Sequence, residues 1–318
     1  MRVLSGMQPS GQLHLGNYFG SMKPNLEWQT KADQAFYFVA DLHALTTVQD
    51  PKVLRRARTD IILDYLACGF DPGKAIIYYQ SQIPEHTELM WMLSTVMPMG
   101  MLERAVSYKD KVSKGIAASV GLFTYPALMA ADIILYDANL VPVGKDQKQH
   151  VEIARDVAVK FNNVYGDVLV VPEPVIREDV AVVPGTDGQK MSKSYCNSIP
   201  LFGAEAAVKK AIMGIVTDSK GMNDPKDPES CVIYQLHKLF LSTKESAALA
   251  DEYRNGLPYG EGKKRLLATY MDTFGAMRQK REKLTDAHAR EVADAGAKRA
   301  ATVAAGTMAK VRAATGLL

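Results

Sequence analysis

Cysteine is scarce in this chain of 318 residues: Cys68, Cys196 and Cys231 lie 128 and 35 positions apart. That spacing gives no Cys-x-x-Cys pair and no zinc pattern, so no metal ligands are expected. An odd, sparse count excludes a disulfide scaffold and fits a reducing compartment. Long apolar runs are missing too. The uncharged stretch 115–131 spans 17 residues but holds two glycines, a proline and a serine, so no membrane span is expected. Residues 1–11 show neither an apolar h-region nor a small-residue cleavage pattern, so no secretory leader is expected and the reading is cytoplasmic. Internal repeats are absent. What remains is ordinary globular composition, 47% hydrophobic and 23% charged, which excludes disorder and collagen-like structure. At about 150 residues per domain, the length suggests two domains.

The net charge of +3 conceals an asymmetry. Residues 260–318 hold 12 Lys and Arg against 6 Asp and Glu, a surplus of six, so the rest of the chain carries minus three. A positive C-terminal region suits a polyanion. Lys and Arg are also good residues for any exposed helix, so the surplus alone decides nothing.

The first part of the chain alternates strand and helix patterns. Val-, Ile-, Tyr- and Phe-rich runs at 2–5, 35–40, 75–80, 140–143 and 168–171 read as strands. Between them, 51–68, 126–136 and 146–161 read as helices. This alternation predicts an α/β fold: a Rossmann-like parallel sheet wrapped by helices, with ligands at the carboxyl ends of the strands. Residues 81–124 exceed what one crossover needs and read as a helical insertion rich in methionine (Met90, Met92, Met97, Met99, Met101). Beyond 183 the texture is all-helical, with patterns at 204–213, 232–239, 244–254, 262–283 and 286–314. Two domains are therefore expected, 1–183 and 184–318. Pro184-Gly185-Thr186-Asp187-Gly188 opens the second as a mobile loop by composition.

Two motifs carry chemistry. Gln8-Pro9-Ser10-Gly11-Gln12-Leu13-His14-Leu15-Gly16-Asn17 follows the first strand and opens a helix. A glycine-containing turn at a helix start presents free N–H groups to phosphate, and Gly16 leaves room for a base to lie against the backbone. Alone, such a turn is a weak signal. Lys190-Met191-Ser192-Lys193-Ser194 is more specific, because two lysines three apart on a glycine-rich loop can follow a phosphate that moves during reaction. The two strings reinforce each other.

HLGN resembles the first signature, and KMSKS is the second, of class I aminoacyl-tRNA synthetases. Asp41-Leu42-His43-Ala44, Leu128-Met129-Ala130-Ala131-Asp132-Ile133, Val141-Pro142-Val143-Gly144 and Asp146-Gln147-Lys148-Gln149-His150 follow in order. They narrow the match to the bacterial tryptophanyl-tRNA synthetases, over nearly the whole chain and clearest up to Ser194. The resemblance implies a ligase that joins L-tryptophan to the α-phosphate of Mg-ATP and passes the aminoacyl group to tRNA(Trp). No tightly bound cofactor is implied, and the 184–318 part becomes the anticodon-binding domain of a homodimer whose contact lies in 81–124.

The same resemblance distributes roles. Gln8, Pro9, Ser10, Gly16 and Asn17 form the ATP cradle, with Gln8 also counted catalytic. Lys190 and Lys193 meet the leaving pyrophosphate, helped by Lys111 and flanked by Met191, Ser192 and Ser194. Gly144, Lys145 and Asp146 hold the ribose side, and Val183 lines the adenine slot. Lys145 stands where the family often has an acid, and Tyr195-Cys196 follow KMSKS where an acid is usual.

The nearest alternative is a tyrosyl-tRNA synthetase. Tyr125, Met129 and Asp132 stand at i, i+4 and i+7, one helix face. Tyrosyl enzymes resemble this with Gln in the middle. Met129 with Ile133, Val141, Val143 and Leu4 makes an apolar wall suited to indole, and a single carboxylate suits an N–H that only donates. An acid in so apolar a run needs a specific partner. His43 and Gln147 complete the expected tryptophan set, Gln147 toward the α-amino group. Other readings remain open: a synthetase-like regulatory protein that no longer charges tRNA, or a small nucleotidyltransferase, against which KMSKS and the long helical tail argue.

Overall fold

The computed structural model describes residues 1–105, 115, 118–143, 148–176 and 183–318. They gather into two compact units: Met1–Gly11, Asn25–Glu178 and Thr285–Leu318 in one, Gln12–Pro24 and Asp179–Leu284 in the other.

The first unit is built on five parallel strands in the order β3-β2-β1-β4-β5. These are β1 (Arg2–Met7), β2 (Gln34–Val39), β3 (Ala75–Tyr79), β4 (Leu140–Val143) and β5 (Glu173–Ile176). The register sets Val3 opposite both Ala35 and Leu140. β2 (QAFYFV) and β3 (AIIYY) are almost wholly buried, as expected of a parallel sheet covered on both faces. The chain winds from β1 outward to β3, then returns to the other side of β1 for β4. Such a reversal opens a crevice at the carboxyl ends of β1 and β4, where Gln8 follows β1.

Helix Pro51–Ala67 starts where Asp50 accepts from the N–H groups of Lys52 (2.7 Å) and Val53 (3.3 Å), with proline at the first turn. Helix Val120–Ile134 begins earlier than the expected 126, because Ser119 caps it by accepting from the Leu122 N–H at 3.1 Å. Pro126 is held inside it by the buried face it helps form. Two expectations are corrected. Residues 168–171 form no strand: Asn162 takes up the N–H groups of Val168 and Leu169 and donates to the Leu169 carbonyl. The fifth strand is Glu173–Ile176 instead. A single cut near 183 also fails to describe the units, because the last helix, Asp286–Thr315, belongs with the sheet.

That helix carries small residues on one face, Ala289, Ala293, Gly296, Ala300 and Ala304, all buried, with Met308 and Val311 continuing the stripe into the core. Gly296 lies so close to β3 that a Cβ would run into the Ile77 carbonyl. Arg299 donates to the carbonyls of Pro72 (2.8 Å) and Ala75 (3.1 Å). Lys310 pairs with Asp137 (3.2 Å), and Arg312 with Glu88. Three of the twelve basic residues counted in 260–318 thus anchor this helix.

The second unit holds helices Glu205–Met213, Val232–His237, Thr243–Arg254 and Tyr259–Lys283. Leu266, Tyr270 and Phe274 line the buried face of the longest, and Phe274 meets Tyr18 edge-on at 5.0 Å. The polar connector carrying Asp224-Pro225-Lys226-Asp227 closes on the buried Lys226, which donates to the carbonyls of Met222 (3.0 Å) and Asp224 (2.8 Å).

Gly296→Ala should destabilise the protein by about 1–3 kcal/mol through overpacking against β3. Gly306→Ala, in the same helix with open space around it, should be stabilising by roughly 0.5–1 kcal/mol. Chemical denaturation of the two variants checks this; equal midpoints would refute the docking.

Candidate active site

The sheet unit contains a buried polar network centred on Asp132. Its Oδ1 accepts from Gln80 Nε2 at 2.7 Å and faces His86 Nδ1 at 2.6 Å. Its Oδ2 faces His43 Nε2 at 2.7 Å. Burial pushes the Asp132 carboxyl up, but the His43 charge and the bonds from His43 and His86 outweigh it and hold the group at about 2. The acid is therefore an acceptor only, and each of its three partners must donate. The sequence asked what partner an acid in this apolar run could have; the chain itself supplies three. With about four lone-pair sites on a carboxylate, one on Oδ2 is left over.

The fold places these donors by topology. His43 sits on the turn Asp41–Ala44 after β2, Gln80 follows β3, and His86 opens helix Glu85–Ser94. The Gln80 amide is oriented without ambiguity, since Oε1 accepts from the Leu42 N–H at 3.1 Å. Behind His86, Nε2 meets the Tyr136 hydroxyl at 2.9 Å. Gln80, His86 and Tyr136 were not singled out from the sequence. For His86 a signal existed, because it shares a helix face with Leu89 and Leu93, three and seven positions on.

Of the expected tryptophan set, Tyr125 and His43 come together edge-on at 6.0 Å, and the Tyr125 hydroxyl meets His150 Nε2 at 2.9 Å. His150 is therefore an orienting partner of Tyr125. Leu4, Ile133 and Val141 belong to the main hydrophobic core, with Met129 packed against it half-buried. Gln8 donates weakly to the His43 carbonyl (3.3 Å) and Thr47 Oγ1 (3.4 Å), and Ser10 N–H closes a turn on the Gln8 carbonyl at 2.9 Å. Lys111, Gly144, Lys145, Asp146 and Gln147, together with the Val143 side chain, lie outside the described residues.

The helical unit brings the two signature strings together. The Leu15 N–H donates to the Ile199 carbonyl at 3.0 Å and Leu201 N–H to Leu13 at 2.9 Å. The Gly16 N–H points at Met191 Sδ, 3.3 Å away. A Cβ on Gly16 would meet the His14 ring and Met191, so glycine is required by close approach. Asn17 folds back to accept from the His14 N–H at 3.1 Å. The string opens a helix: Leu15–Asn17 passes into a wider π turn, Tyr18–Met22, and on into Lys23–Leu26.

The lysine loop is a tied structure rather than an open one. Buried Asn197 accepts from the Ser192 N–H (2.8 Å), and its amide donates to Asp187 (2.7 Å) and the Lys190 carbonyl (3.2 Å). Met191 N–H returns to the Val183 carbonyl at 2.9 Å, and Ser192 caps Ser194 N–H at 3.3 Å. Tyr195 and Cys196 are exposed, and Cys196 takes the left-handed conformation (φ 52°) that turns the chain back. Asn197 went unread because nothing local marks it. Burial, then the charge of Lys193, push the His14 imidazole down to about 4. Among the described residues no cluster of His, Cys, Asp and Glu could hold a metal, and no helix is long and apolar enough to cross a membrane.

Residues 1–275 match the family described as tRNA synthetases class I (W and Y). The chain is 48% identical over 321 residues to the tryptophan–tRNA ligase of Fusobacterium nucleatum, spanning 100% of this chain and 98% of that one. It is 49% identical over 320 residues to the corresponding ligase of Rhodopirellula baltica, with both chains covered in full. The crystal structure of tryptophanyl-tRNA synthetase from Campylobacter jejuni, complexed with ADP and tryptophan, superposes with a TM-score of 0.92 at 48% identity. It covers 99% of this chain and 100% of that one. The chain belongs to the class I tRNA synthetases of the W and Y family.

His14 tests the link between the two strings. Its folded value lies below the ordinary 6.5, so between pH 6.5 and about 4 the unfolded chain binds the extra proton. Stability should therefore fall as pH drops through that window. NMR titration should place the His14 ring near 4 and move it upward in Lys193→Ala; an unmoved value would separate Lys193 from the glycine turn.

Proposed function

We infer that the chain is a tryptophan–tRNA ligase. It activates L-tryptophan with ATP and transfers the product to tRNA. The observation that carries the choice of amino acid is Asp132: an ionised, acceptor-only carboxylate at the centre of an apolar helix, with Met129 where a tyrosyl enzyme has glutamine. The indole N–H is a donor only, and the unfilled position on Oδ2 suits it. Phenylalanine offers no donor, and a site built to receive one rejects such an analogue by roughly 10⁴–10⁵. Tyrosine is refused by shape, since its ring leaves part of an indole slot unfilled.

In the reaction, the tryptophan carboxylate oxygen attacks the α-phosphorus of ATP and pyrophosphate leaves, giving the adenylate. The terminal ribose hydroxyl of the tRNA then attacks the activated carbonyl and AMP departs. Mg²⁺ enters with ATP as part of the substrate. Lys190 and Lys193 sit on a loop whose backbone Asn197 fixes, so their charges meet the leaving pyrophosphate without first being ordered. This is positioning plus electrostatics. His14, held neutral, adds no competing positive charge, and Gly16 keeps the turn open to the nucleotide. Gln8 at the end of β1, with Pro9 and Ser10, Asn17 of the glycine turn, and Gly144, Lys145 and Asp146 after β4 are assigned to the nucleotide. Val183, beside Met191, is assigned to the adenine. Gln147 and Tyr125 are assigned to the α-amino group, and Lys111 assists the lysine loop.

The helical unit is assigned to the anticodon end of the tRNA, where unstacked bases are exposed to side chains. The sequence pointed to the whole basic tail. With the last helix engaged on the sheet, the exposed Lys264, Lys280 and Lys283 of Tyr259–Lys283 remain as phosphate contacts. Assembly as a homodimer through 81–124 rests on exposed Trp91 and Met99, and two-fold dimers are the commonest closed form. Action in the cytoplasm follows from the substrate tRNA.

Tryptophan-dependent ATP–pyrophosphate exchange, followed by charging of total bacterial tRNA, tests the function; exchange with tyrosine instead would overturn it. In the same assay Lys193→Ala should lower the exchange rate by about 10²–10³ with tryptophan affinity nearly unchanged. Charge reversal at Lys264, Lys280 and Lys283 should weaken charging and flatten its salt dependence while exchange persists. Equal charging would move the RNA surface elsewhere. Sedimentation showing only a 34.9 kDa species would refute the dimer.

A further inference from the structure

Three donors converge on Asp132, more than selection of an N–H by a carboxylate demands. An ionised carboxylate in a core costs several kcal/mol of desolvation even when paired, and a leucine in this apolar helix would cost nothing comparable. The arrangement behind the acid is directional. Oδ1 receives Gln80 Nε2–H and His86 Nδ1–H and is saturated; Oδ2 receives His43 alone. With Nδ1–H committed to the acid, the far nitrogen, Nε2, meets the Tyr136 hydroxyl at 2.9 Å, a group able to donate to it. Tyr136 thereby sets which nitrogen of His86 carries the proton. Gln80 is locked in turn by the Leu42 N–H, next to His43, so it ties both the acid and the turn that carries the remaining donor. Both His86 and Gln80 are fully buried.

We propose that Gln80, His86 and Tyr136 are positioning residues that fix the Asp132 carboxylate with one lone pair of Oδ2 directed at the substrate ring. Through it they set discrimination between an aromatic amino acid bearing a ring N–H and an isosteric one without it. The proposal rests on the reading of Asp132 as acceptor of that N–H. Shape does not achieve this discrimination, because an isostere fills the same volume. The titratable groups facing Asp132 are His43 and His86, then Tyr78 and Tyr136, with Glu85 beyond Tyr136. Removing the His86 donor leaves Gln80 on Oδ1 and His43 as the main charged counterweight to burial.

The experiment is pyrophosphate exchange with the full chain, using tryptophan and its benzothiophene isostere, in which sulfur replaces the ring N–H, from acid to alkaline pH. Tyr136→Phe removes one oxygen and preserves the ring; His86→Leu removes the donor; His86→Asn restores a donor near Nδ1. Tyr136→Phe and His86→Leu should each raise the tryptophan KM about ten- to a hundredfold, with kcat changing far less, and reduce discrimination against the isostere equally. In His86→Leu the tryptophan KM should also become pH-dependent, improving as pH rises and the acid regains its charge. His86→Asn should recover most of the loss. Variants that lower Tm and kcat but keep the wild-type KM ratio and pH profile would show a structural role only and overturn the proposal. Tyr136→Phe carries the test if His86→Leu does not fold. Asp132→Asn separates the two layers: retained discrimination there sinks the reading of Asp132 itself, whereas lost discrimination there with unaffected Tyr136→Phe and His86→Leu sinks only the positioning.

Discussion

The sheet unit depends on a charge that stays buried. Asp132 is ionised where water does not reach, and three side chains from two connections make that tolerable. His43 comes from the end of β2, Gln80 from the end of β3 and His86 from the helix that follows, so the carboxyl edge of the sheet is tied to helix Val120–Ile134 through one carboxylate. Removing one partner of a buried ion typically costs more than the pair contributes, about 3–5 kcal/mol. The same contacts that hold the acid also orient it, and here structural and substrate-facing roles cannot be assigned to separate residues.

The helical unit solves a different problem, that of presenting positive charge on a loop without letting it wander. Asn197 does this by taking up the Lys190 carbonyl and the Ser192 N–H, backbone groups between the two lysines. Gly16 allows the glycine turn to close on Met191 of the same loop. The backbone around Lys190 and Ser192 is thus held by a side chain other than the two lysines.

What the sequence disclosed followed a physical rule. Signals confined to a window of neighbours were legible: the period of the strands, the Lys190–Ser194 string, and Asp132 as the lone acid of an apolar run. The class of fold followed from them. Signals that depend on a distant partner were not. Asn197 and Gln80 are ordinary polar residues until the backbone groups they serve are brought near, and His86 looked like one more residue of a methionine-rich insertion. Residues 168–171 read as a strand because their apolar character is real; it is Asn162, six positions upstream, that claims their backbone. The last helix read as part of a helical domain because an alanine stripe does not announce what it packs against.

The return of that helix to β3 also bears on how the chain is made. Ile77 and its neighbours are made before the helical unit, yet the element that covers them, Asp286–Thr315, is made only after it. Through most of translation a strand rich in isoleucine and tyrosine stands on a sheet with one face waiting, while the whole helical unit is built in between. Surfaces of this kind are where nascent chains stick to one another and where chaperones bind. The first unit to begin folding thus stays open over β3 until Asp286–Thr315 has been made.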